Sequence, residues 1–389
     1  RRLRPDAVLY NAAISACEKC LQWQVALALF WQMRGLSIRP TVVSLGAAVS
    51  ACEKAMEWGR SMLLLQQASS HGLEANAVAC NAAVSACEKG HQWRSAASLV
   101  QHMWEKGPAP VITTYNAAIS AYGKGRQAGR ALEVLGEMRS LLLCPDVVTY
   151  NAAISACEES RLWEGALALL AEMAAGSVQL DAVTVATAIS ACAGGARWGP
   201  ALALLEAAWQ QGLEAEAVVF HAATTACERG QNWPAALLML KDQMQAGLGL
   251  SATACSAAIS ACEEGEQWEW AIRLLGALQA PNAIACSAAI SACEKGRQWQ
   301  RALQLLEGML AARLEPHVIT CNSVLRACQK ERQPSAARGL LELMQSGGPD
   351  PDVLSLSAVT SACTVHRTLR PLPALLFDVH QCSLSRLHR

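Results

Sequence analysis

A short phrase that returns at a fixed interval constrains this fold more than any other feature of the chain. Residues Tyr10–Glu18 read YNAAISACE, and the same letters return at Tyr150–Glu158. Close variants begin at Cys80, Tyr115, Cys255 and Cys286. A unit of this size cannot bury its own apolar face, so the repetition predicts a stack of similar units instead of separate globular domains.

The repeat register follows from the junctions between units, which often carry Pro and Asp. The first residues of successive units are Ala7, Val42, Ala77, Ile112, Val147, Ala182, Ala217, Ala252, Ala283, Val318 and Val353. Nine of the ten complete units span 35 residues, and the eighth spans 31. We expect residues 1–6 to be the edge of an incomplete preceding repeat, 7–352 to form ten tandem repeats, and 353–389 to hold a degenerate eleventh repeat with a basic tail.

Each unit predicts two amphipathic helices. In the first unit, Tyr10, Ile14 and Cys17 share one face, and a second apolar run begins at Trp23 after a break at residues 19–22. Glycines that follow the second run, namely Gly72, Gly107, Gly212 and Gly247, are typical of helix C-termini. Strand signals are nearly absent, so the predicted fold class is all-α, a superhelical solenoid of helix-turn-helix repeats.

Tryptophan opens the second apolar run in eight units, and methionine recurs later in that run. Their companions at helical spacing are apolar, which predicts core packing and not a ladder for stacking bases. The residues concerned are Trp23, Trp58, Trp93, Trp163, Trp198, Trp233, Trp268 and Trp299, with Met33, Met103, Met138, Met173, Met309 and Met344.

The cysteines are read as packing residues. Ten of the 17 occupy the eleventh position of a unit, where another unit has Tyr122, so they indicate a reducing compartment and not a disulfide framework. Cys17 and Cys20 form a lone CxxC, which lacks the second pair of ligands that a structural zinc site requires. Since HExxH, a glycine-rich phosphate loop and a nucleophile elbow are also missing, we predict no metal, no cofactor and no enzymatic activity.

The charge of the chain excludes a strong electrostatic attraction to polyanions. Its formal net charge is zero and only 16% of its residues are charged. Charged residues also interrupt every apolar stretch before it reaches the roughly 18 residues needed to cross a bilayer, so we expect no membrane span.

These units resemble the pentatricopeptide repeat family, whose consensus begins approximately Val-Val-Thr-Tyr-Asn and ends in Pro-Asp. Residues Val147–Asn151 read VVTYN after Pro145 and Asp146. The alanine-rich wording AAISACEKG is similar to the variety of P-type repeats found in dinoflagellate algae. The resemblance covers residues 5–365 and implies a right-handed solenoid that binds single-stranded RNA in a chloroplast or mitochondrion, without a small-molecule substrate.

The resemblance also implies that each repeat contacts one base through its fifth and last residues. The implied base-contacting residues are Asn11, Thr41, Asn81, Asn116, Asp146, Asn151, Asp181, Ser256, Asn282, Ser287, Asn322 and Asp352. By the family's code, Asn with Asp favours uridine at the fourth, fifth and tenth repeats, and Ser with Asn favours adenine at the eighth. Six of the ten pairs depart from the pattern, because side chains such as those of Gly46, Ala186 and Val111 cannot discriminate a base edge.

Two further sets of residues are implied by the same resemblance. The second residue of a repeat would pack against the base, through Val8, Val43, Val78, Val148, Val183 and Val218. The thirteenth residue would contact the RNA backbone, through Lys19, Lys54, Lys89, Lys124, Arg229, Lys295 and Lys330. We expect the adjacent glutamates, such as Glu18, to cancel part of this positive charge.

Alternative interpretations exist for these positions. A fifth-position Asn could cap the helix start instead of contacting RNA, and the lysines could form a solvated rim. The alternative function is a protein-binding helical-repeat scaffold, which the zero net charge favours. The 35-residue period and the Asn/Asp pairs at unit junctions favour RNA.

Overall fold

The computed structural model describes residues 6–364, apart from positions 37, 71, 177, 211, 213–215 and 279. Every regular element in these residues is an α-helix. The first helices of the repeats are α1 (Ala7–Lys19), α3 (Val42–Lys54), α5 (Ala77–Lys89), α7 (Ile112–Lys124), α9 (Val147–Glu159), α11 (Ala182–Gly194), α13 (Ala217–Arg229), α15 (Ala252–Glu264), α17 (Ala283–Lys295), α19 (Val318–Lys330) and α21 (Val353–Thr364). The second helices are α2 (Trp23–Gly35), α4 (Trp58–Ser70), α6 (Trp93–Lys106), α8 (Ala128–Ser140), α10 (Trp163–Ala175), α12 (Trp198–Gln210), α14 (Trp233–Gln245), α16 (Trp268–Ala277), α18 (Trp299–Ala311) and α20 (Pro334–Gly347). The predicted all-α repeat fold is therefore confirmed.

The chain divides into two compact units, Arg1–Gly195 and Ala196–Arg389. In the first unit, the first helices α1, α3, α5, α7, α9 and α11 pack side by side in chain order. In the second unit, α13, α15, α17, α19 and α21 do the same. Each second helix from α2 to α10 and from α14 to α20 packs on its own first helix and on the first helix of the next repeat. Within each unit, every repeat therefore buries its neighbour's apolar face.

The core is built mainly from small side chains on the first helices. In the third repeat, Ala83, Val84, Ala86 and Cys87 are fully buried. Alanine at these positions leaves room for adjacent first helices to approach closely. The described eleventh-position cysteines are likewise buried, except the half-buried Cys17 at the start of the chain.

The tryptophans lie at the edge of this core and not in its interior. Most are half-buried, and Trp198 is 40% exposed. In the second unit, Trp233, Trp268 and Trp299 pack against the buried cluster from outside. The methionines, by contrast, are buried as predicted, with Met33, Met103, Met138, Met173 and Met344 at no more than 1% exposure.

The turn between the two helices of a repeat departs from the usual glycine rule. At the third repeat, His91 holds the left-handed conformation with φ of 55°, whereas the preceding Gly90 has φ of −82°. The other complete repeats also place a non-glycine residue with positive φ at this point. After the second helices, Gly72, Gly212 and Gly247 do adopt positive φ as expected, but Gly107 is extended.

The eighth repeat is short because its second helix is short. Helix α16 has 10 residues, compared with 13 in α14 and α18. Most of the four missing residues are therefore removed from the last turn of this helix. Among the described helices, none is long and apolar enough to cross a membrane. The predicted basic tail and residues 1–5 lie outside the described residues.

Candidate nucleic-acid interface

The last residue of a repeat caps the first helix of the next repeat. Asp146 Oδ1 accepts a hydrogen bond from the backbone N–H of Thr149 at 2.8 Å, and Asp181 Oδ1 accepts one from Thr184 at 2.6 Å. Thr41, Asn76, Ser251, Asn282 and Asp352 act in the same way. Each cap satisfies a backbone donor that the helix leaves unpaired.

Capping therefore belongs to the last position and not to the fifth, so the capping interpretation of the fifth-position asparagines was wrong. Those side chains instead reach across to the next repeat. Val111, Glu216 and His317 occupy the last position without making a side-chain cap.

We call the fifth and last residues of one repeat its reading pair. Three reading pairs are joined directly by side-chain hydrogen bonds: Asn11 with Thr41 at 3.2 Å, Asn116 with Asp146 at 3.4 Å, and Asn322 with Asp352 at 3.1 Å. In the eighth repeat, the Ser256 hydroxyl donates to the backbone oxygen of Ala252 at 2.7 Å and lies 3.5 Å from Asn282 Oδ1. Asn151 and Asp181 are linked through the Thr184 hydroxyl, which lies 2.5 Å from an oxygen of each. The structure thus brings together the pairs that the family's code assigns to uridine and adenine.

Two predicted base-contacting residues meet other partners. Asn81 donates to Thr113 at 3.2 Å and not to the apolar Val111. Ser287 bonds to Thr320 at 2.8 Å and to its own helix at Ala283. These repeats therefore lack the paired arrangement. At the seventh repeat, the fifth residue is His221, whose buried Nδ1 has no hydrogen-bond partner among the described residues.

Two carboxylates of the reading pairs, those of Asp146 and Asp352, have lowered pKa values. Burial alone would raise the pKa of Asp146, but hydrogen bonds from the Thr149 hydroxyl and backbone and from Asn116 lower it below its ordinary value. The backbone N–H of Ser355 is the main reason that the pKa of Asp352 is lowered, with its hydroxyl and Asn322 contributing. At neutral pH both side chains act only as hydrogen-bond acceptors.

Exposed aliphatic side chains form a row beside the reading pairs. Val8, Val43, Val78, Val148, Val183 and Val218 occupy the second position, with exposures from 59% to 73%. In the second unit, Ile284 and Ile319 occupy the same position as Val218, at 69% and 66% exposure. The sequence analysis missed these two isoleucines, although their register position identifies them. Isolated valines on a surface need no explanation, but a periodic row of exposed aliphatic residues is a platform that planar rings can cover.

The thirteenth-position lysines are paired with glutamates from the preceding repeat. Lys54 lies 2.9 Å from Glu18, Lys89 lies 2.9 Å from Glu53, Lys124 lies 3.0 Å from Glu88, Lys295 lies 3.0 Å from Glu264, and Lys330 lies 3.3 Å from Glu294. Ninth-position serines bind several of the same carboxylates, as Ser85 does to Glu53 at 2.8 Å and Ser120 does to Glu88 at 2.7 Å. We call this set the lysine–glutamate ladder. The charge cancellation expected within one helix therefore takes place between neighbouring repeats.

The ladder is interrupted in the middle of the chain. The fourth repeat has Gly123 in place of the glutamate, and the fifth has Glu159 in place of the lysine. In the eighth repeat, Glu264 occupies the lysine position that would face Glu228 of the seventh repeat. Burial raises the pKa of Glu228, and the charge of Glu263 raises it further. Lys19 and Arg229 are exposed. A bound polyanion would therefore meet few uncompensated cations on this face.

The described residues contain no cluster of three His, Cys, Asp or Glu that could hold a metal ion. The buried cysteines are poor nucleophiles, because burial raises the pKa of Cys87, Cys157 and Cys227 to about 11. The lone CxxC places Cys17 half-buried and Cys20 exposed, with both thiols free.

Comparison with family models places the chain among known repeat proteins. The model described as the PPR repeat family matches residues 110–157 and 145–194. The model described as the pentatricopeptide repeat domain matches residues 63–126, 280–331 and 304–364. The model described as the PPR repeat matches residues 8–38. Together these matches span more than half of the chain. The chain belongs to the pentatricopeptide repeat family.

A solved structure has the same fold. The chain is similar to the pentatricopeptide repeat protein PPR10 from maize, with 16% identity and a TM-score of 0.50, over 98% of this chain and 66% of that one. A structure of PPR10 in complex with an 18-nt psaJ RNA element gives 22% identity and a TM-score of 0.47, over 92% of this chain and 52% of that one. The chain thus spans under two thirds of one and about half of the other. No curated protein matches its sequence.

Proposed function

We propose that this chain is a non-enzymatic RNA-binding repeat protein that holds a single-stranded segment along its first helices, with one nucleotide facing each repeat. The observation that supports this most directly is that a reading pair keeps a hydrogen-bond donor and an acceptor available for a ligand. In the fourth repeat, Asn116 Nδ2 donates one hydrogen bond to Asp146 and keeps a second N–H. The hydrogen bonds to Asp146 all end on Oδ1, and the side chain is exposed.

The exposed row at the second position supplies the other half of the site. A base that lies on Val148 would have its edge toward the reading pair of the fifth repeat, because Val148 and Asn151 lie three residues apart on α9. Aromatic platforms contribute about 1–3 kcal/mol per base, and we expect less from an aliphatic side chain. Affinity would therefore accumulate over several repeats instead of depending on one.

The preferred bases follow the reading pairs. We propose uridine at the fourth, fifth and tenth repeats, where Asn faces Asp, and adenine at the eighth, where Ser256 faces Asn282. The action would be to cover about ten nucleotides of a transcript against nucleases or unwanted pairing, in line with one nucleotide per repeat. A role in organellar RNA processing, stability or translation is part of this proposal, as is the relation to alanine-rich algal proteins.

A binding selection from randomised RNA tests the proposal. We expect two adjacent uridines to be enriched, and the Asn116→Ala, Asp146→Ala, Asn151→Ala, Asp181→Ala variant to lose that enrichment. A matched control replaces two amides and two carboxylates exposed on second helices, as Gln66→Ala, Gln101→Ala, Glu105→Ala and Glu133→Ala, with the same change in net charge. Enrichment that survives in the first variant would refute base reading by these residues.

The second candidate is a protein-binding scaffold, and the lysine–glutamate ladder favours it, because paired lysines attract phosphates weakly. The two functions differ at low salt. An RNA-binding protein gains affinity as salt falls, since phosphate contacts release counterions. Failure to bind any RNA in low salt would leave the scaffold as the better explanation.

A further inference from the structure

The third residue of each repeat varies together with the fifth residue of the repeat before it. Every fifth-position asparagine precedes a repeat whose third residue carries a hydroxyl: Asn11 with Ser44, Asn81 with Thr114, Asn116 with Thr149, Asn151 with Thr184, and Asn322 with Ser355. Other fifth residues mostly precede an aliphatic one: Gly46 with Ala79, Ala186 with Val219, His221 with Ala254, and Ser256 with Ala285. Ser287 with Thr320 is the exception. The hydroxyl therefore accompanies the asparagine and is not a general requirement of the fold.

These hydroxyls are buried and need a partner. Ser44, Thr114, Thr149, Thr184 and Ser355 are all fully buried. A buried hydroxyl without a hydrogen bond is costly, and each of these contacts the Oδ1 atom of the paired asparagine. In the fourth repeat, Thr149 Oγ1 lies 2.7 Å from Asn116 Oδ1 and 2.7 Å from Asp146 Oδ1, so its one proton is shared between the two oxygens.

The contacts of Asn322 fix which way its amide faces. Its Nδ2 atom lies 3.1 Å from both carboxylate oxygens of Asp352. Only a donor can sit favourably between two anionic oxygens, so this side of the amide must be the amino group. The carbonyl oxygen then faces the Ser355 hydroxyl at 2.5 Å. The same hydroxyl lies 2.9 Å from Asp352 Oδ1, so its one proton is shared between the two acceptors. Asn11 has the same arrangement, with Nδ2 toward Thr41 and Oδ1 toward Ser44.

We propose that the third-position hydroxyl is a positioning residue for base selection, because it occupies the carbonyl of the preceding asparagine and leaves only the amino group facing the RNA. This inference rests on the RNA-binding function proposed above. The hydroxyl does not touch the base itself. It acts through the asparagine, from the buried side of the helix.

The consequence for the base follows from hydrogen-bond complementarity. With its carbonyl occupied, Asn116 offers a donor beside the acceptor Asp146, which matches a carbonyl next to the N–H of a uracil edge. At the fourth repeat the bond from Asn116 Nδ2 to Asp146 is long, at 3.4 Å, so without the hydroxyl the amide can turn over. It would then offer its carbonyl, which accepts from the amino group of cytosine. Removal of the hydroxyl should therefore relax the choice between uridine and cytidine more than it weakens binding overall.

The test uses the double variant Thr149→Val, Thr184→Val, which keeps the side-chain shape and removes both hydroxyls. The probes are two synthetic RNAs that are identical except for UU or CC at the nucleotides facing the fourth and fifth repeats. We expect the wild-type chain to prefer UU by about tenfold for each position, as one correct donor–acceptor match provides. In the valine variant the ratio should fall below about threefold in total, with helical content unchanged by circular dichroism.

Two controls separate positioning from packing. Thr224→Val removes an equally buried hydroxyl that bonds to its own helix at Phe220, and it should leave the preference intact. Thr149→Ser with Thr184→Ser keeps both hydroxyls and should also retain the preference. Thr149→Ala with Thr184→Ala removes the same two hydroxyls and provides the same test with the same RNAs if the valine variant fails to fold.

Three results would overturn the inference. The first is an unchanged UU preference in the valine variant or in Thr149→Ala with Thr184→Ala. The second is an equal loss of preference in Thr224→Val or in the serine variant, because packing would then be the cause. The third is failure of the wild-type chain to bind either RNA, which refutes both the proposed function and this inference. If the valine variant binds RNA strongly with an unchanged preference for UU, only the inference is refuted.

Discussion

The indole of Trp58 covers the backbone of Gly90 in the next repeat so closely that a Cβ on Gly90 would overlap the ring. The same contact joins Trp93 to Gly125, Trp163 to Gly195, Trp198 to Gly230, Trp233 to Gly265, and Trp268 to Gly296. Because Gly90 has an ordinary negative φ, glycine serves close packing here and not backbone conformation. In the first and ninth repeats, the residues that follow Trp23 and Trp299 at this position are Ala55 and Glu331, so the approach of the ring differs between repeats. Where the fourth repeat has Ala128 in place of tryptophan, the fifth has Ser160 in place of glycine.

Gly90→Ala should destabilise the chain by about 1–3 kcal/mol, because the new methyl group overpacks the contact with Trp58. Urea unfolding followed by circular dichroism measures this. Gly129→Ala in α8 is the matched control, since nothing lies within 4 Å of its added Cβ, and it should stabilise the helix by about 0.5–1 kcal/mol. Combining Gly90→Ala with Trp58→Ala should remove most of the penalty of the glycine change, and additive effects would contradict the contact.

Arg126→Gly should stabilise the chain by up to about 1 kcal/mol, because Arg126 adopts φ of 54°, a conformation that costs a residue with a Cβ. Its backbone N–H bonds to Gly123 and that of Gln127 bonds to Tyr122, so the conformation is imposed by the end of α7. Thermal unfolding measures the effect. Lys124→Gly, two residues earlier in the helix, should lower the melting temperature, and a decrease for both variants would refute the explanation.

Much of the scaffold could be predicted from sequence because packing repeats with the period. The helical spacing of Tyr10, Ile14 and Cys17 predicted α1, in which Tyr10 and Ile14 are buried. The position of the tryptophans was harder to predict. Helical spacing places Trp58 on an apolar face, but only the neighbouring repeat shows that its ring covers a turn at the edge of the core.

The candidate site was less accessible from sequence, because its contacts run between repeats. The residues of each reading pair lie about 30 positions apart in the sequence. Thr149, whose hydroxyl contacts both Asn116 and Asp146, lies in the VVTYN motif and was not predicted to belong to the site. The lysines were read from their own helix, whereas their partners lie 36 residues away, as Lys89 and Glu53 do. Comparing each position with its counterpart one repeat later is the sequence signal that would have found both.

The buried cysteines should resist alkylation in the folded chain. Burial raises the pKa of Cys87 and Cys227 to about 11, so at pH 8 about one thiol in a thousand would be ionised. Iodoacetamide followed by mass spectrometry should label the exposed Cys20 and Cys144 first. Rapid labelling of Cys87 at pH 8 without denaturant would contradict the packing described.

The same thiols should make stability fall in alkaline solution. An unfolded cysteine ionises near its ordinary pKa of 9.0, whereas the folded Cys87 stays protonated until about pH 11. The folded state therefore binds more protons between these values, and its stability decreases as pH rises through that window. Replacing Cys87 and Cys227 by Ala should flatten the change in melting temperature between pH 8 and pH 10.

Glu53→Gln with Glu88→Gln should increase RNA affinity, because it releases Lys89 and Lys124 from the lysine–glutamate ladder. Glutamine keeps the size of the side chain and can still accept from Ser85 and Ser120, but it loses the charge that holds each lysine at about 3 Å. Each released lysine that reaches a phosphate should steepen the slope of log K against log salt by about 0.7. Fluorescence anisotropy of a labelled RNA between low and moderate salt measures that slope.

Glu105→Gln with Glu133→Gln, both exposed on second helices, produces the same change in net charge away from the ladder. An equal increase in that control would show that net charge and not the released lysines governs binding, whereas a steeper slope in the ladder variant alone would place the RNA backbone along these lysines.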